Sequence, residues 1–264
     1  MRESDTYDNN LGTGILFQGQ FATGKSSLGL KLPNVYVFDA DNNLGGAIRY
    51  IKELGIKFHY DIGTRRPHSD PEVLKADPHA EEEVPEAERY DWMGKCLTKA
   101  FLSPAIKSVY IDGASGVSDF LIAKLFADTG KTEMTIPLWG VYLETWKKFI
   151  TKCRSQKKLF AMSVHEEWVK SDNEGVLLWE IMLPGKISSK LGSFMSDVWR
   201  HEMVPDPKDP KNTIYGVRTR SNTKVKCRCS FPGMPALWDG SNMKILYKAL
   251  NLPVPEWYKP DVPK

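Results

Sequence analysis

Gly19-Gln20-Phe21-Ala22-Thr23-Gly24-Lys25-Ser26 matches the pattern G-x-x-x-x-G-K-[ST] at every fixed position. The run before it, Gly14-Ile15-Leu16-Phe17, is short, apolar and rich in strand formers, and Ser26 to Leu32 reads as a helix with Leu28 and Leu32 on one face. Strand, glycine loop and helix is the context in which this pattern binds phosphate. Glycines let successive backbone N–H groups close on one anion, at the positive end of the helix dipole. In such a loop Lys25 reaches the terminal phosphates of a nucleotide and the Ser26 hydroxyl binds Mg²⁺.

The chain has 264 residues with 41% hydrophobic content, enough to bury the core of one large α/β domain. No apolar run approaches membrane-spanning length, and Met1–Asn10 is polar and acidic, so the expectation is a soluble, intracellular protein without a signal peptide. Cys96, Cys153, Cys227 and Cys229 form no C-x-x-C pair, which predicts reduced thiols, and the five histidines lack metal-ligand spacing. The net charge of +3 hides an asymmetry: Asp61 to Asp91 holds ten acids and four bases, leaving 32 bases and 23 acids elsewhere. That basic remainder permits contact with a polyanion without requiring it.

Further strands are predicted at Val35–Phe38, Lys57–Tyr60, Ser108–Ile111, Leu159–Val164, Asp197–Met203 and Ile214–Thr219. The segment Thr64–Arg89 is rich in Pro, Glu and Asp and reads as an exposed excursion. Helices are predicted at about Asp91–Leu102, Val117–Phe126, Leu138–Ser155 and Ile187–Ser196, and the Pro-rich tail from Pro253 to Lys264 is expected to lie on the body or a neighbour. Asp112 ends an apolar strand downstream of the phosphate loop, the position from which an acid orients a Mg²⁺ shell. His165 ends the strand after it.

Taken in order, GQFATGKSS, VYVFDADNN, SVYIDGAS and LFAMSVHEE resemble the ATPase core of the RecA superfamily, and within it the phage nucleotide-binding proteins related to RecA-like single-strand annealing ATPases. The resemblance spans roughly Gly12 to Leu250. It implies a single RecA-like P-loop domain, with a mostly parallel sheet flanked by helices and antiparallel strands near the C-terminus. It also implies ATP and Mg²⁺ as cofactors, with Ser27 joining Gly19 to Ser26 at the nucleotide, and Asp112 supporting the metal. Asp41 falls where the family places the glutamate that orients and deprotonates the attacking water. Aspartate is one methylene shorter, which implies slower turnover or a role for Asp39. His165 falls at the family's polar sensor of the γ-phosphate.

By the same resemblance, Glu166–Lys186 and Asp128–Pro137 occupy the positions of two DNA-binding loops. Lys131, Lys170, Lys186 and Lys190 are its candidate phosphate contacts, and Trp168 and Trp179 offer stacking faces. The competing reading is a hairpin around Asn173-Glu174-Gly175 whose tryptophans pack on the domain, favoured by the acids Glu166, Glu167, Asp172, Glu174 and Glu180. Lys226 and Arg228, with Arg218 and Arg220 behind them, are candidates to reach a neighbour's γ-phosphate in a homo-oligomeric ring or filament. The implied function is ATP-dependent binding and annealing of single-stranded DNA, in the cytoplasm of an infected bacterial host if the chain is phage-encoded, with or without a single-strand DNA-binding protein. A helicase loader, a P-loop kinase and a non-hydrolysing ATP-binding regulator remain alternatives.

Overall fold

The computed structural model describes residues 12–170, 177–206, 209–222 and 225–258. Met1–Asn10, the expected turn at Asn173-Glu174-Gly175, Lys224 and the last six residues lie outside them. In chain order the elements are β1 (Gly14–Gly19), α1 (Lys25–Gly29), β2 (Val35–Asp39), α2 (Gly45–Glu53), β3 (His59–Ile62), β4 (Arg65–Pro67), α3 (Pro71–Ala76) and β5 (Glu81–Glu83). Next come α4 (Glu86–Leu102), β6 (Ser108–Asp112), α5 (Ala114–Thr129), α6 (Ile136–Ser155), β7 (Leu159–Lys170), β8 (Leu177–Ile181) and α7 (Ile187–Phe194). The chain closes with β9 (Asp197–Pro205), β10 (Thr213–Arg218), β11 (Leu237–Asp239) and α8 (Met243–Ala249).

Strands as continuously apolar as β1, β2 and β6 need cover on both faces, and every residue of the three is buried. The sheet runs β11-β10-β9-β1-β7-β6-β2-β3, with β8 paired to β7. From β9 to β3 all neighbours are parallel. Strands β8, β10 and β11 are antiparallel to theirs, so the sheet is mixed. One face packs on α4–α7 through Leu16, Phe38, Val109, Ile111, Phe160, Met162 and Trp146. The other packs on α1, α2 and α8 through Ile15, Phe17, Val37, Tyr110, Trp199 and Leu246. No helix of the described residues is long and apolar enough to cross a membrane.

Three expectations need correction. The acidic excursion is built rather than irregular: β4 and β5 pair antiparallel with Arg66 opposite Glu82, and Arg66 binds Glu82 at 2.6 Å and Glu88 at 2.8 Å. Arg89 binds Glu83 at 3.1 Å, so local charge pairing supplies the order that apolar periodicity does not. Helix α4 starts at Glu86 rather than Asp91, because Pro85 precedes it and Glu86 and Glu88 favour its first turn. Helix α1 stops at Gly29, where the chain continues into the tighter bonds Lys31 N–H to Leu28 O and Leu32 N–H to Gly29 O. A Cβ on Gly29 would lie 2.4 Å from the Tyr110 ring, so the loop helix seats directly on β6. The tail follows expectation as far as Tyr258, with Trp257 and Tyr258 packed on the second core.

Candidate nucleotide site at the carboxyl edge of the sheet

Parallel strands bring their carboxyl ends to one edge, and register decides which side chains meet there. Gly19 pairs with His165 of β7 on one side and His201 of β9 on the other. Asp39 pairs with Asp112. Phe21 to Ser27, Asp41, Asp112, His165 and His201 line one cleft of about 540 Å³, which Tyr215, Gly240 and Ser241 close from the β10–β11 side. Gly24 has φ +83, a left-handed turn that glycine adopts without strain, and a Cβ there would meet the Tyr215 ring at 3.1 Å.

The Lys25 ammonium donates to Gly19 O at 2.9 Å and Gln20 O at 2.6 Å and lies 3.3 Å from His165 Nδ1. Burial lowers its pKa to about 8, against the opposing fields of Asp112, Glu166 and Asp41. An ammonium only donates, so His165 Nδ1 accepts and the imidazole carries its proton on Nε2. Burial, then Lys25, pushes the His165 pKa down, which leaves a neutral ring able to donate Nε2–H into the cleft. Phe21, 74% exposed at the loop tip, lies 6.1 Å from that ring.

Asp112 Oδ1 accepts from Tyr110 at 2.6 Å and from Ser163 Oγ at 2.6 Å. Ser26 and Asp112 line the same cleft. A hydroxyl and a carboxylate are the hard oxygen donors that suit Mg²⁺, which takes few protein ligands and keeps water and phosphate oxygens. Ser26 and Asp112 would hold it, and the ion would neutralise charge on the phosphates. Among the described residues no group of three or more His, Cys, Asp or Glu side chains has metal-binding geometry.

The two acids after β2 have different environments. Asp39 is buried and accepts from the N–H groups of Asn43 at 3.1 Å and Leu44 at 3.2 Å, which ties down the turn into α2. Asp41 accepts from Gly116 N–H at 2.8 Å. Its carboxyl carbon lies where a Cβ on Gly113 would be 2.1 Å away, so both Gly113 and Gly116 leave room for it. Although Asp41 as a residue is exposed, its carboxylate is wedged against this backbone. The resulting desolvation, offset by Gly116 and reinforced by Asp112 and Asp39, raises its pKa to about 6.

Side chains alternate along a strand, so Glu166 faces away from His165. It shares its face with Gln18 and Arg200, which pair across β1 and β9. Arg200 Nε binds Glu166 at 2.8 Å with both side chains buried, its NH1 binds Glu202 at 2.5 Å, and Arg218 closes on Glu202 at 2.6 Å. The Arg200 guanidinium also lies 4.6 Å from the Trp179 ring, whose other neighbour is Trp168 at 3.7 Å between centroids. This network was not read from the sequence. A glutamate and an arginine inside otherwise buried strands were the available signal, since a buried charge requires a partner. Arg200→Ala is expected to lower stability by about 3–5 kcal/mol, because it strands the Glu166 carboxylate in a buried site. Urea unfolding followed by circular dichroism measures it, and an unchanged midpoint would remove the pair from the account.

The remaining predicted residues divide. Trp168 and Trp179 sit opposite each other in the β7–β8 hairpin, so the hairpin forms, yet Trp168 stays 44% exposed. Lys131 is exposed between α5 and α6, Lys186 and Lys190 are exposed at and within α7, and Lys170 ends β7 with its side chain outside the described parts. Lys226 and Arg228 are exposed and line a separate cleft of about 630 Å³ beside Gln18 and Glu166. A single antiparallel bridge, Val198 to Arg228, ties this segment to β9. The Arg228 guanidinium donates to Gly192 O at 3.1 Å and to Met195 O, which gives it a task within its own chain at the end of α7.

No family model matches this sequence, and no curated protein does. Among solved structures, the flagellar accessory protein FlaH from Methanocaldococcus jannaschii is similar at 13% identity over 83% of this chain and 87% of that one, with a TM-score of 0.40.

Proposed function

We propose that the chain is a RecA-like, Mg²⁺-dependent ATPase whose hydrolysis is coupled to single-stranded DNA. The observation that carries the reading is the convergence of Lys25, Ser26, Asp41, Asp112 and His165 on one cleft, around a loop with the full phosphate-binding pattern. Lys25 holds the terminal phosphates, and in doing so exchanges the Gly19 and Gln20 carbonyls for phosphate oxygens. His165 Nε2–H donates to the same group. Asp41, with a pKa near neutrality, accepts the proton of the attacking water. Phosphoryl transfer needs this positioning and charge neutralisation more than covalent chemistry.

The DNA half of the proposal is supported by the Trp168–Trp179 stack, which presents an exposed aromatic face on the strand that also carries His165. Lys131, Lys186 and Lys190 supply exposed positive charge. Annealing in phage recombination, in a homo-oligomer, is the finer reading. Lys226 is the better candidate to reach a neighbour's nucleotide, since Arg228 is engaged by α7.

The experiment is phosphate release from Mg·ATP with and without single-stranded DNA, beside DNA binding over a salt series. Wild type should be stimulated, and its affinity should fall with salt as neutralised phosphates release counterions. Trp168→Ala should weaken binding by about 1–3 kcal/mol with the salt slope unchanged, because stacking is not ionic. DNA that alters neither rate nor oligomer size would sink the coupling, and phosphate appearing on a small-molecule acceptor would favour a kinase.

A further inference from the structure

The basic excess of the chain is concentrated where the nucleotide cleft is not. Trp92–Ile111 holds three bases and Thr145–Ser163 six, with no acid in either stretch. The fold brings the two together. Helices α4 and α6 both run to the amino edge of the sheet, because the parallel strands β6 and β7 start there. The Lys158 ammonium ties the two helix ends, donating to Ala100 O at 3.1 Å and to Ser103 O. Leu159 N–H bonds Lys107 O at 3.3 Å, which sets Lys107 beside the end of α6.

Lys95, Lys99 and Lys152 line one open groove of about 1010 Å³ with Thr98, Leu102 and Ser103. Lys148 stands one turn before Lys152, and Lys107 and Lys157 are exposed at the groove's lower end. Lys158 and Arg154 are occupied by backbone carbonyls, whereas among the described residues none of these other six lysines makes an ion pair with a carboxylate. Asp91, the acid that lines the groove, is held by Lys124 at 3.0 Å. Lys95 and Lys99, like Lys148 and Lys152, are four residues apart on a helix, where like charges repel. Charge from outside the chain relieves that repulsion.

We propose that this face is a second nucleic-acid surface, which grips the phosphate backbone of duplex DNA without reading its bases and without nucleotide. Phosphate is the complement of unpaired ammonium groups in two rows. Duplex fits better than single strand for two reasons. It carries about one charge per 1.7 Å of axis, twice the density of one strand. Single-strand binders also need stacking faces, and the rings nearest this groove, Trp92, Phe101 and Phe149, are packed on the core. The surface lies at the opposite edge of the sheet from Lys25 and from the Trp168–Trp179 hairpin, so it does not rest on the nucleotide-site reading.

The test is fluorescence anisotropy of a labelled duplex of about 25 base pairs with the full chain, over a salt series and without nucleotide. Neutralising roughly four to six phosphates gives wild type a log–log slope between about −4 and −5. The triple variant Lys95→Gln, Lys99→Gln, Lys152→Gln should be shallower by about 3 and bind about 10²-fold more weakly at about 0.1 M salt. Its affinity for a single strand of the same length should fall far less. Lys52→Gln, Lys244→Gln, Lys248→Gln removes equal charge from exposed positions on α2 and α8, the other helical layer, and should leave the slope within about 1 of wild type.

Equal effects of the two triple variants would show net charge rather than this groove at work and overturn the proposal. So would equal losses for duplex and single strand, a requirement for Mg·ATP, or wild type that binds vesicles of phosphatidylserine and phosphatidylcholine but no duplex. Circular dichroism confirms that each variant is folded. Wild type that binds duplex yet neither hydrolyses ATP nor responds to single strands would overturn the ATPase reading and leave this surface standing.

Discussion

Lys25→Ala is expected to reduce ATP hydrolysis by at least about 10²–10³-fold, the loss found when one preorganised charge-stabilising donor is removed from a closed site. No substitute stands ready. The other ammonium lining the cleft, Lys31, lies over the Tyr50 ring at 4.8 Å and donates toward its hydroxyl. Arginine should not rescue, because Lys25 occupies a buried slot fitted to two backbone carbonyls and a guanidinium is wider and planar. The pH dependence carries a further sign. Phosphates bind the charged amine, whose pKa is about 8 in the free protein, so nucleotide affinity should be greatest below that value and weaken as pH rises through it. Steady-state phosphate release and fluorescent-nucleotide titration measure the two effects, and wild-type turnover by Lys25→Ala would end the assignment of the loop.

Asp41→Asn is expected to lower kcat by about 10²-fold or more with little change in nucleotide affinity, the signature of a lost general base. A base works deprotonated. With its pKa raised to about 6, wild-type kcat should be full above that pH and fall as pH drops through it. The Asn variant should lack this acid limb, and the limb is the informative readout, since a merely structural change would lower the rate without flattening the profile. Asp39→Asn supplies the contrast. It removes one acceptor from the turn that binds Asn43 and Leu44 N–H, and should cost about 1 kcal/mol of stability while leaving the pH profile in place. Should Asp39→Asn flatten the profile and Asp41→Asn keep it, the two roles are exchanged.

The central strands were legible because they are apolar at every position, and the strand, glycine turn and helix around Gly19–Ser26 because the pattern is dense and its flanks are of the right kind. Position along a strand sufficed to send Asp112 and His165 to the loop's edge of the sheet. The order of Arg65–Glu83 was not legible: it depends on which arginine meets which glutamate across β4 and β5, and charge counting is blind to pairing. The different duties of Asp39 and Asp41 were equally hidden, since they depend on which backbone each carboxylate meets: Asn43 and Leu44 N–H for Asp39, and Gly113–Gly116 for Asp41. His201 and Arg200 escaped notice for a related reason. Both lie on β9, far along the chain, and their partners on β1 and β7 become neighbours only through parallel pairing.

The alternation along β7 limits how this protein can change. His165 and Glu166 are adjacent in sequence but belong to different faces of the sheet, one toward Lys25 and the other toward Arg200. A single-residue insertion between Leu159 and His165 would exchange the faces, putting Val164 in the place of His165 beside the loop's ammonium and the imidazole in the place of Glu166 beside the arginine. An insertion of two residues would preserve the faces but advance His165 by about 7 Å along the strand, out of reach of Lys25. The length of β7 upstream of His165 is therefore held by both faces at once, and chains descended from a common ancestor should keep it constant and vary in length beyond Glu166 instead.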